Sequence, residues 1–78
     1  MTTGEEILQL AISHAERGSS TDQAVDDLLR CCSGRRVSAV RARQELLDRR
    51  DSSPGDEIVT RALQFVDGML EQGVWDVA

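Results

Sequence analysis

The chain has no lysine, no tyrosine, a single proline and only two aromatic residues, Phe65 and Trp75, in 78 positions. Each absence narrows what the protein can be. Without lysine there is neither a Schiff-base amine nor a phosphate-loop lysine. Two aromatics are too few for a platform on which nucleotide bases stack. The two cysteines, Cys31 and Cys32, are adjacent, which is not the spaced framework of a disulfide-stapled domain. No run approaches the roughly 20 apolar residues that a membrane span needs. The opening MTTGEEILQL puts two carboxylates where a secretory signal needs cations, so a cytoplasmic protein is expected.

What is present suits one small domain. Hydrophobic residues make up 40% of the chain, too many for a compositionally disordered segment. The length is below the usual domain of about 100–150 residues, so residues 1–78 are expected to form a single four-helix domain, with 74–78 a short C-terminal tail. A core of this size is modest, and total stability of roughly 4–12 kcal/mol is expected.

Four segments carry helical periodicity, at about 4–17, 21–32, 36–50 and 54–72. Thr3 and Glu6 have the spacing of a capping box, and Gly18 follows the first helix as a stop. Ser20 and Gln23 repeat that signature before the second helix. Asp51-Ser52-Ser53-Pro54-Gly55 breaks the chain, with Ser53 the expected N-cap and Pro54 the expected first position of the fourth helix. Asp56 and Glu57 suit the positive end of that helix dipole. Nothing alternates with the period of a strand, and every link is short. The expected fold class is therefore all-α, a compact four-helix bundle or orthogonal helical domain.

The helical faces predict which residues are buried. In the fourth helix Ile58, Val59, Ala62, Leu63, Phe65, Val66, Met69 and Leu70 share an arc of about 160°, which marks it as the central core element. The second helix gathers Ala24, Val25, Leu28, Leu29, Cys31 and Cys32. The first gathers Ile7, Leu8, Ala11, Ile12 and Ala15, with Leu10 to one side. The third helix is different. Val37, Val40 and Leu47 form one apolar strip, Ala39 and Leu46 another, and Arg36, Arg43 and Arg50 project between them at seven-residue spacing. Three readings remain open. The arginine stems can lie on apolar surface with their heads in water. Arg43 can pair with a carboxylate such as Asp26, Asp27 or Asp67. Or the helix can pack on two neighbours and show an arginine stripe to a partner.

No catalytic, cofactor or metal site is expected. His14, the one histidine, falls at the edge of an apolar face and is expected to be partly buried and structural. No nucleophile is marked near it. Cys31 and Cys32 read as small hydrophobes, although Arg30, Arg35 and Arg36 nearby could lower a thiol pKa. One adjacent cysteine pair and a distant histidine do not supply the ligand spacing of zinc. The phosphopantetheine-bearing Asp-Ser-Leu of acyl carrier proteins is absent; Asp51-Ser52-Ser53 is followed by proline instead.

The least random feature is the order of charge. Residues 1–34 sum to −4, residues 35–50 to +4 and residues 51–78 to −5, so six of nine arginines lie in the third helix or directly before it. This can be charge matching inside the fold. It can also be a binding face. The expected function is a small non-enzymatic interaction or regulatory module of inhibitor, adaptor or antitoxin type, binding a protein partner. The face expected to bind is Arg35, Arg36, Arg41, Arg43, Arg49 and Arg50, with a second, apolar patch from Leu10 and Trp75. The alternative is a nucleic-acid-associated regulator whose helix 3 arginines contact phosphates. A homodimer through helix 4 or Trp75 is a further expectation.

Overall fold

Residues 3–32 and 36–73 are described by a computed structural model, and they form four helices: α1 (Thr3–Arg17), α2 (Thr21–Cys32), α3 (Arg36–Ser52) and α4 (Glu57–Gln72). Among the described residues there is no strand. The end of α1 and the start of α2 have the physical stops that Gly18 and Ser20 mark in the sequence. Gly18 takes φ +73°, and its N–H reaches Ala15 O at 3.3 Å while Ser19 N–H reaches His14 O at 3.0 Å. That is a Schellman ending, which a residue with a Cβ would strain. Ser20 then caps α2 as expected, its Oγ accepting from Gln23 N–H at 3.3 Å and its carbonyl from Ala24 N–H at 3.0 Å.

The α3–α4 link departs from expectation. α3 runs two residues further than position 50, through Asp51 and Ser52, and α4 begins at Glu57 rather than Pro54. Asp56, not Ser53, is the N-cap: its Oδ1 accepts from Ile58 N–H at 3.0 Å and Val59 N–H at 3.4 Å. Ser53 precedes a proline, which disfavours helical backbone there but does not require the next helix to start at the proline. Ser53 N–H instead closes the last turn of α3 onto Arg49 O at 2.9 Å, and its carbonyl accepts from Asp56 N–H at 3.1 Å. α1 starts at Thr3, one residue earlier than expected, within the ordinary latitude of helix ends.

α4 packs against all three other helices and buries Val59, Ala62, Leu63, Phe65, Val66 and Met69. Ile7, Leu8, Ala11 and Ala15 of α1 and Ala24, Val25 and Leu28 of α2 complete most of the core. A Cβ built on Gly68 would lie 3.1 Å from Val25 Cγ2, so the missing side chain lets α2 and α4 approach closely. Most of the apolar arc of α4 is consumed in this core, with Ile58 and Leu70 half-buried at its edges. Trp75, with the rest of 74–78, lies outside the described residues. Among the described residues no helix is long and apolar enough to cross a membrane.

α3 resolves its two strips unequally. Ala39, Ala42 and Leu46, with Ser38, are buried against α1 and α4. Leu47 is half-buried against the core, whereas Val37 and Val40 are 68% and 47% exposed. They are the large hydrophobics most exposed among the described residues. The narrow buried arc is possible because Ala39 and Ala42 are small. The helix sits close to its neighbours and needs no second apolar strip to stay in place.

Candidate docking face on α3

At 100° per residue, the buried arc of α3 occupies about 100° of the helix, and the arginines fall on both sides of it. Arg36, Arg43 and Arg50 lie on the flank toward α4. Arg41 and Arg49 lie toward the start of α1, where they line a shallow depression with Gly4, Glu5, Leu8 and Glu45. The expected single arginine face is therefore two flanks, separated on the solvent side by Val37, Val40 and Gln44. This is a correction to the face as read from charge order, because seven-residue spacing gathers only 36, 43 and 50.

Two of these arginines are used inside the fold. Arg43 Nε donates to Asp67 Oδ1 of α4 at 2.6 Å, with both side chains a little over 40% exposed. Of the three carboxylates considered for it, Asp67 is the one it meets. Arg49 Nε lies 3.7 Å from Glu45 Oε1, one helical turn away and exposed. Arg36, Arg41 and Arg50 are exposed and have no ion pair among the described residues. Arg35 lies outside the described residues. Leu10 is half-buried and packs on the core, so it offers little free apolar surface.

The solvent face of α3 also carries carboxylates that charge summation hides. Glu45, Asp48 and Asp51 are all exposed there, toward the C-terminal half. Gln44 Nε2 donates to Asp48 Oδ1 at 3.2 Å. The face is thus cationic and apolar at its start and mixed in sign at its end, where Arg49 and Arg50 stand exposed among the carboxylates. Reading only the arginines missed Gln44, Asp48 and Asp51. The signal that reaches Gln44 and Asp51 is the spacing 37, 44, 51, the same seven-residue interval one face over, and the interval 41, 48 reaches Asp48.

His14 is more deeply placed than a face-edge residue, at 1% exposure. Its Nδ1 accepts from Ser19 Oγ–H at 2.8 Å, and its Nε2–H donates to Asp27 Oδ2 at 3.0 Å. The Asp27 carboxylate, which only accepts, sets the proton on Nε2, and Arg17 Nη2 lies against both ring nitrogens, 3.1 Å from Nδ1 and 3.4 Å from Nε2. Hydroxyl, imidazole and carboxylate in sequence have the order of a nucleophile relay. Here a guanidinium lies against both nitrogens of the ring, and a cation so placed opposes the positive charge the ring would gain by taking the serine proton. The group works as a clasp, joining the end of α1, the turn at Ser19 and the middle of α2.

Burial, and secondarily the nearby Glu6 carboxylate, push the Cys31 thiol above its ordinary value. Arginine-driven activation would do the opposite, so Cys31 is a weak nucleophile and a poor redox sensor at neutral pH. Among the described residues no three His, Cys, Asp or Glu side chains converge in a way that could hold a metal ion. With the geometry in place, comparison with known proteins finds no match: no family model, no curated protein and no solved structure.

Proposed function

We propose that this chain is a small regulatory interaction module that docks a protein partner through the solvent face of α3. The observation that carries the reading is the exposure of Val37 and Val40 beside Arg36 and Arg41. Exposed apolar residues ringed by charged ones are the composition of a contact patch, and arginine is enriched at such patches. Two cations with no ion pair among the described residues can offer their guanidinium donors to an acidic group on whatever docks. A protein fits better than a nucleic acid, because three carboxylates share the face and would repel a polyanion. The proposal includes the cytoplasmic setting expected from the sequence and a non-enzymatic role.

The test compares proteins retained by the tagged wild-type chain with those retained by a Val37→Ser/Val40→Ser variant and an Arg36→Glu/Arg41→Glu variant. All four positions are exposed, so far-ultraviolet circular dichroism should be unchanged. A defined protein lost from both variants supports the reading. Retention that ignores these substitutions, or an empty capture, removes it. A nucleic acid retained by the valine variant and lost from the arginine variant would replace it with phosphate binding.

A further inference from the structure

We draw no further inference here: the strongest candidate, the solvent face of α3 around the exposed Val37 and Val40 with the all-arginine flank of Arg36, Arg43 and Arg50 beside it, is the docking face already described, and nothing in the structure shows what covers it.

Discussion

Removing the His14 imidazole should be among the costlier single changes this chain can suffer. The ring is 1% exposed and sits where α1 ends and α2 passes it. Truncating a buried side chain of this size costs the lost transfer energy plus a cavity, about 2–4 kcal/mol. The hydrogen bond to Asp27 would add about 1–2 kcal/mol if its loss left the carboxylate dry. Asp27 is 40% exposed, however, and water replaces the ring on that side. The sum for His14→Ala is therefore about 3 kcal/mol, a large share of a total expected at roughly 4–12 kcal/mol. With a urea slope near 1–1.5 kcal/mol/M for a chain of this length, the midpoint should fall by about 2–3 M. His14→Phe separates the two contributions. It refills the volume but leaves Ser19 Oγ and Asp27 without their ring partner, and it should cost about 1–2 kcal/mol. Urea titration followed by circular dichroism measures both. A His14→Phe variant within about 0.5 kcal/mol of wild type would show that the clasp adds nothing beyond packing. A His14→Ala loss below about 1 kcal/mol would contradict the burial itself.

Three further outcomes follow from the same geometry. Asp56→Ala should cost about 1 kcal/mol through loss of the α4 cap while Ser53→Ala costs only a few tenths, an order that a cap at Ser53 would reverse in the same titration. A double-mutant cycle of Arg43→Ala and Asp67→Ala should give a coupling of about 0.5–1 kcal/mol, since the pair is well aligned but over 40% exposed; zero coupling would mean the pair only decorates the surface. In a Cys32→Ser background, Cys31 should alkylate with iodoacetamide more slowly at pH 7.5 than an exposed thiol and gain rate as pH rises past 9. The direction follows because a raised pKa leaves less thiolate at any pH below it. Glu6→Gln should speed the reaction modestly, and a Cys31 faster than an exposed thiol at neutral pH would refute the assignment.

Where sequence and structure agree, the sequence carries redundant signals. α4 has an apolar arc, a polar opposite face and a glycine after it, and each says the same thing. The Ser20 cap and the Gly18 stop are likewise readable because each depends on one local side chain or on its absence. The α3–α4 link has two plausible caps three residues apart, and choosing between them requires knowing how far α3 continues. α3 itself defeats face-reading because its core contacts come mainly from two alanines and one leucine, while its larger valines point outward. Apolar weight therefore misleads about which side is buried. The depth of His14 was equally out of reach, since its partners Ser19 and Asp27 come from the following turn and helix.

Charge along the chain becomes physically meaningful only once the helices are placed. The +4 of residues 35–50 suggests a polyanion binder, yet Arg43 is spent on Asp67 and Arg49 stands near Glu45. On the solvent arc and its flanks, Arg36, Arg41 and Arg50 stand among Glu45, Asp48 and Asp51, so the surface as a whole is close to neutral and mixed in sign. Two phosphate contacts would give a salt slope near −2, losing only about tenfold in affinity between 50 and 200 mM salt, whereas a binder using six arginines would lose about a thousandfold. A face of this kind gains little from attraction at a distance. It gains from close matching with a docked surface that meets the exposed valines with apolar groups and the arginines with acidic ones.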